Sequence, residues 1–139
     1  MKINIQQEDN YIEIGFDGAI DLSTSSDARK NIIDVLEKNK NILIDLSLVT
    51  YIDSSGVASL VEGYQIAKKQ SLKFGLIGVS DAAMSVLKLA RLDQVFPIYK
   101  RRLMWDKYAK KLLNNDQNKT KKGVSSRNTA NGRSYINNW

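Results

Sequence analysis

Ile3 and Ile5 alternate with polar neighbours, and Ile12, Ile14 and Phe16 do the same after Asp9-Asn10. A period of two predicts strands, and the Asp-Asn pair between them predicts a short hairpin turn. Gly18-Ala19-Ile20-Asp21 then runs into Ser23-Thr24-Ser25-Ser26-Asp27, a cluster of helix-capping residues. Ala28, Ile32, Ile33, Val35 and Leu36 follow at helical spacing, which predicts a helix to about Asn39. Asn41-Ile42-Leu43-Ile44-Asp45-Leu46 is an apolar run of strand length and reads as a central, buried strand. Past Val49, Tyr51 and Ile52, the pattern Val57, Leu60, Val61, Tyr64 and Ala67 predicts a helix that starts near Ser54 and Ser55.

Phe74 to Val79 predicts another buried strand, and Ser80-Asp81 caps a helix whose apolar face is Ala83, Val86, Leu87 and Ala90. Val95, Phe96, Ile98 and Tyr99 predict a last strand, which Pro97 confines to a sheet edge. Strands alternating with helices in this order predict an α/β domain, a mixed β-sheet with helices packed on it. Trp105, Tyr108, Ala109 and Leu112 fall on one helical face with lysines between them, predicting a basic closing helix at about 100–113. The domain is expected to span 1–113. Residues 114–139 carry few apolar side chains and are expected to be a disordered basic tail, a C-terminal extension that cannot offset its ordering entropy.

Composition narrows the chemistry. At 139 residues and 42% hydrophobic content the chain has room for one sizeable core. It contains neither cysteine nor histidine, which excludes thiol catalysis, thiolate zinc sites, histidine metal sites and the Ser-His and Cys-His constellations. There is no Gly-rich phosphate loop, and Gly75 and Gly78 read as close packing or a strand kink. Asp21, Asp45 and Asp53 could serve as carboxylates, but spacing does not bring any two together. Asp17, Asp21 and Asp27 lack the regular spacing of a cation loop, so no metal and no cofactor is expected. These features argue against an enzyme.

The net charge of +6 suggests a polyanion partner, but residues 1–99 carry ten basic against thirteen acidic residues. The remaining forty hold eleven basic and two acidic ones, so the positive excess is wholly C-terminal. The domain itself is therefore not expected to bind nucleic acid. Lys119, Lys121, Lys122, Arg127 and Arg133, with Tyr135 and Trp139, suit the tail at most to a weak, salt-sensitive polyanion contact. The first residues turn polar too soon for a signal-peptide core, and no run of about 18 apolar residues is present, which predicts a cytoplasmic protein.

Asp53-Ser54-Ser55-Gly56 has a plain reading and a sharper one. Ser and Asp cap helices by accepting from first-turn amides, and capping alone explains the pattern. A hydroxyl between a buried strand and a helix start is also held at the domain edge, within reach of a kinase. A phosphate there adds about −1.5 to −2 charge at pH 7, which the helix dipole and free amides can accommodate.

Ile44-Asp45-Leu46-Ser47, Tyr51 to Val57, Leu76-Ile77-Gly78-Val79 and the early Gly18-Ala19-Ile20-Asp21, in this order and at these separations, resemble the STAS domain of bacterial anti-sigma factor antagonists and sulfate-transporter tails. The resemblance covers about residues 3–113. It implies an antagonist that binds an anti-sigma factor which is also a serine kinase. The antagonist is then switched off by phosphorylation of Ser54 and reset by a serine phosphatase. It further implies that Asp53, Ser55 and Gly56 shape the partner-binding edge, with Asp21, Ser23, Thr24 and Ser25 beside it. The ATP of that cycle belongs to the kinase. A second role within the same family remains open, that of an accessory subunit of a membrane transporter such as a lipid-transport ABC system. Nothing in the resemblance explains the tail or the basic character of the closing helix.

Overall fold

The computed structural model describes residues 1–100 and 102–107. Strands β1 (Lys2–Gln7) and β2 (Tyr11–Ile20) form the expected antiparallel hairpin, with Ile5 opposite Ile14. β3 (Asn41–Ile52), β4 (Phe74–Ile77) and β5 (Ile98–Tyr99) add in parallel, giving one five-stranded sheet in the order β1-β2-β3-β4-β5. Helices α1 (Ser25–Glu37), α2 (Ser54–Lys69) and α3 (Asp81–Leu89) provide the crossovers. The mixed sheet with packed helices is the predicted class.

β3 runs six residues past the predicted Leu46, and this extension positions the site. Between Gly15 and Ala19 of β2, β3 twice contributes an extra residue to the register. Each bulge shifts the facing by one residue, so Leu46, Val49 and Ile52 point to the core at intervals of three rather than two. Gly18 stands in this stretch at φ +113, a backbone conformation that glycine adopts without strain.

One face of the sheet meets the helices in the main core, built from Ile12, Ile14, Phe16, Ile42, Ile44 and Leu76 against Ile32, Leu36, Leu60 and Leu87. The opposite face carries a smaller cluster of Tyr11, Leu43, Ile77 and Tyr99 around Trp105, which is fully buried. Trp105 lies in a helical segment, 102–107, and its ring meets Tyr11 and Tyr99 edge-on at 5.5 Å centroid separation. Gly75 makes room for that ring, since a Cβ there would stand 2.8 Å from both the Trp105 and Tyr99 rings. Close packing is thus the role of Gly75, as expected, whereas Gly78 at φ +61 supplies the kink after β4.

Beside the tryptophan, Arg102 donates to both oxygens of the buried Glu13 at 2.6 Å and to Asp45 at 3.2 Å. This fork fixes the closing segment to β2 and β3 and gives one of its basic residues a structural role. Tyr11 is pushed up to about 12 by burial, with Asp106 adding to the effect.

Two expectations need correction. Ala90 is exposed because α3 ends at Leu89, one residue short of the predicted face. Val95 is also exposed and outside the last strand, because a 3-10 turn at Leu92–Gln94 occupies the approach to it. Phe96 is buried, and the Pro97 carbonyl accepts from Leu76 N–H, so proline joins the edge ladder through the group it retains. Tyr108, Ala109 and Leu112 of the predicted closing helix, and the whole 114–139 tail, lie outside the described residues. Among the described residues no helix is long and apolar enough to cross a membrane.

Candidate functional site

The end of β3, the start of α2 and the loop after β2 meet at one edge of the sheet, and Asp53 joins them. Asp53 caps α2, its Oδ1 accepting from Ser55 N–H at 2.9 Å, Gly56 N–H at 3.1 Å and the Ser55 hydroxyl at 2.5 Å. Its Oδ2 accepts from Leu22 N–H at 3.1 Å, and its own N–H donates to the Ile20 carbonyl at 3.2 Å. One carboxylate therefore ends a strand, starts a helix and ties down a loop 31 residues earlier.

Asp21 organises the neighbouring loop in the same way. Its Oδ1 accepts from Ser23 N–H at 2.9 Å and from the Ser23 hydroxyl at 2.7 Å. Thr24 Oγ1 accepts from Asp21 N–H at 2.9 Å and donates to the Ala19 carbonyl at 2.8 Å. The Ser23 to Asp27 cluster was expected to cap α1, yet Thr24, at the cap position, makes no side-chain cap bond. Its hydroxyl is committed to the preceding turn instead, so these residues stiffen the loop rather than the helix.

The structure thus brings Asp21, Ser23, Thr24, Asp53, Ser54 and Ser55 to one edge. Ser25 and Gly56 are buried beneath it and shape it from below. Asp45 stands apart, held by Arg102 and by Ser47 N–H. Among the described residues no group of carboxylates could hold a metal ion.

The two serines differ. Ser55 is half-buried and its hydroxyl is spent on Asp53. Ser54, the first residue of α2, is exposed and its side chain makes no hydrogen bond among the described residues. Asp53, not Ser54, is the cap. The amides expected to receive a phosphate are also taken, those of Ser55 and Gly56 by Asp53. A group added at Ser54 would meet the helix dipole from outside and project into solvent.

Leu22 escaped sequence reasoning. It is 81% exposed at the tip of the loop, with its amide fixed by Asp53. A leucine off the helical period, inside an otherwise polar capping run, is the signal that could have marked it.

Both carboxylates are held below the ordinary aspartate value of 3.8, chiefly by hydroxyl donation from Ser23 to Asp21 and from Ser55 to Asp53. A lowered folded-state value means that the stabilisation is complete above 3.8 and is lost as pH falls through the lower folded value. Asp53→Ala should lower the melting temperature by several degrees at neutral pH and flatten the acid limb, as followed by circular dichroism. Ser54→Ala should leave both near wild type. An equal collapse of the two variants would make Ser54 a structural residue.

Gly56 is a second fixed point. A Cβ there would stand 2.6 Å from the Ile20 carbonyl oxygen and 2.7 Å from Ile52 Cγ1. The oxygen is backbone and cannot swing away. Gly56→Ala is expected to cost about 1–3 kcal/mol in chemical denaturation and to loosen the contact between β2 and α2.

Fold and edge together define a mixed-sheet α/β domain that presents an exposed serine at a helix start, beside two ionised aspartates. The STAS domain family model matches residues 2–102. The chain belongs to the STAS domain family. An anti-sigma-B factor antagonist of Bacillus subtilis (strain 168) is 24% identical over 98 residues, which span 70% of this chain and 90% of that protein. The crystal structure of an anti-sigma factor antagonist from Mycobacterium paratuberculosis is similar with a TM-score of 0.66 and 26% identity, covering 72% of this chain and 86% of that one. The Bacillus cell fate determinant SpoIIAA in its phosphorylated form shares the fold, with a TM-score of 0.61 and 15% identity over 76% of this chain and 98% of that one.

Proposed function

We propose that this chain is an anti-sigma factor antagonist, a binding protein whose affinity for an anti-sigma factor is set by phosphorylation of Ser54. The observation that carries the reading is the contrast between Ser54, exposed and without a side-chain hydrogen bond among the described residues, and Ser55, whose hydroxyl is committed to Asp53. The names of its relatives supply the partner class, an anti-sigma factor.

In this account the unmodified edge docks on an anti-sigma factor that is also a serine kinase. The Ser54 hydroxyl oxygen attacks the terminal phosphorus of the kinase's ATP. A new O–P bond forms, the bond to the bridging oxygen breaks, ADP leaves and the hydroxyl proton passes to a base on the kinase. The product carries about −1.5 to −2 extra charge at pH 7 beside Asp53 and Asp21. Because Asp53 already occupies the amides of Ser55 and Gly56, these two are not available to the phosphate, whose charge repels acidic groups of the docked partner. A serine phosphatase removes it and restores binding. The chain acts as the kinase's substrate and needs no cofactor of its own.

Affinity purification of the tagged full chain from the cells that express it, followed by mass spectrometry, reports partner and phosphosite together. Recovery of a kinase-type anti-sigma factor with phosphate on Ser54 is the expected result. Recovery of a transport ATPase, with Ser54 unmodified, would overturn the reading in favour of a transporter subunit.

A further inference from the structure

β1 is the edge of the sheet, and one hydrogen bond fixes which of its backbone groups face outward. Glu8 N–H donates to the Tyr11 carbonyl at 2.9 Å, and Glu8 and Tyr11 continue the register that sets Gln7 opposite Ile12. Bonded and non-bonded pairs alternate along an antiparallel ladder. Glu8, Gln6, Asn4 and Lys2 therefore bond inward to β2, while the N–H and C=O groups of Ile3, Ile5 and Gln7 point away from the sheet. Among the described residues the usual protections of an edge are sparse: β1 carries a single charge, Lys2 at its very start, has no proline or glycine, and its register with β2 has no bulge. Ile5, at its middle, is 53% exposed.

The sequence of this edge is complementary to itself. With two copies antiparallel about an axis through Ile5, Ile5 faces Ile5, Ile3 faces Gln7, and all three outward-facing residues fall at bonded positions. The same register sets Lys2 opposite Glu8 on the other face of the ribbon, once at each end. Neither residue forms an ion pair among the described residues. A parallel pairing would instead stack Lys2 on Lys2. We propose that β1 is a self-association edge, joining a second copy of this chain antiparallel through Ile3, Ile5 and Gln7 with paired Lys2–Glu8 contacts, so that one sheet runs through both copies. A six-residue ribbon buries less than the roughly 1,200 Å² of a standard stable interface, which makes the dimer reversible and dependent on concentration. The pairing leaves β3 and the Ser54 edge uncovered and does not depend on the proposed switch.

Sedimentation equilibrium of the full chain, over a wide concentration range, should show the mass rising from monomer toward dimer. Ile5→Lys sets two lysines face to face on the axis and should remain monomeric throughout. Glu8→Lys should weaken association about tenfold, and the double exchange Lys2→Glu with Glu8→Lys should restore it. Hydrogen exchange should slow at the amides of Ile3, Ile5 and Gln7 as concentration rises, while those of Asn4 and Gln6 stay unchanged. A wild-type chain that is monomeric at every concentration would overturn the proposal, as would a dimer indifferent to Glu8→Lys. The charge exchange decides the matter even if Ile5→Lys fails to fold.

Discussion

Ser54→Asp is expected to bind the anti-sigma factor about a hundred-fold more weakly than wild type, while its melting temperature and circular dichroism stay the same. The two halves of this expectation have separate causes. Binding falls because a third carboxylate joins Asp53 and Asp21 at an edge where both are already held ionised. The fold survives because the new side chain occupies the first position of α2, where negative charge suits the helix dipole, and displaces no hydrogen bond. Ser54→Ala, which removes only the unbonded hydroxyl, should bind as wild type does in the absence of ATP. Titration calorimetry of the three proteins against the purified partner measures this, and equal affinities for all three would remove Ser54 from the mechanism.

Trp105→Ala should be the most damaging substitution for the fold, at about 3–5 kcal/mol in urea denaturation, against the roughly 5–15 kcal/mol that holds a typical domain together. The ring is fully buried between Tyr11, Tyr99 and Gly75, and nothing nearby can fill its space without moving the sheet. The variant keeps the Arg102 fork, so hydrogen exchange should show the closing segment loosened while β2 and β3 remain paired. A coupling test isolates the contact. Gly75→Ala crowds both the Trp105 and the Tyr99 ring in the wild-type background, whereas in Trp105→Ala only the Tyr99 contact remains and the added methyl should cost less.

Much of this fold was legible because its core obeys simple periods. Ile12, Ile14 and Phe16 alternate, Ala28, Ile32, Val35 and Leu36 follow a helix, and the structure places all seven in one core. The second half of β3 was not legible as a strand, since its two bulges set Leu46, Val49 and Ile52 at a spacing that belongs to neither period. The Glu13, Asp45 and Arg102 cluster was hidden for another reason. The residues lie up to 89 positions apart, and nothing local in the chain marks a glutamate on β2 as the partner of an arginine in the closing helix.

At the site, the helix start and the neighbouring loop were legible as such, but not which residue caps and which hydroxyl is tied down. Asp53-Ser54-Ser55-Gly56 was recognisable as a helix start, and Asp21 to Ser25 as its neighbour. The division of labour depends on rotamers, namely which oxygen caps, which hydroxyl is tied down and which stays free. Asp53 proved to be the cap and the clamp on Leu22, while Thr24 serves the turn before α1 rather than the helix. The clamp joins residues 31 apart, beyond the reach of a local pattern, while the choice among neighbouring caps is local but is set by side-chain rotamers that residue types alone do not reveal.

The central claim is that the partner's own phosphorylation of Ser54 ends the complex. Its most direct test is to form the complex of the full chain with the purified anti-sigma factor, add ATP and magnesium, and follow dissociation by surface plasmon resonance, with phosphate mapped at the end. The account predicts that wild type dissociates as Ser54 becomes phosphorylated, while the Ser54→Ala complex persists under the same conditions. Dissociation of Ser54→Ala at the wild-type rate, or a phosphate mapped to Ser55 with Ser54 unmodified, would contradict it.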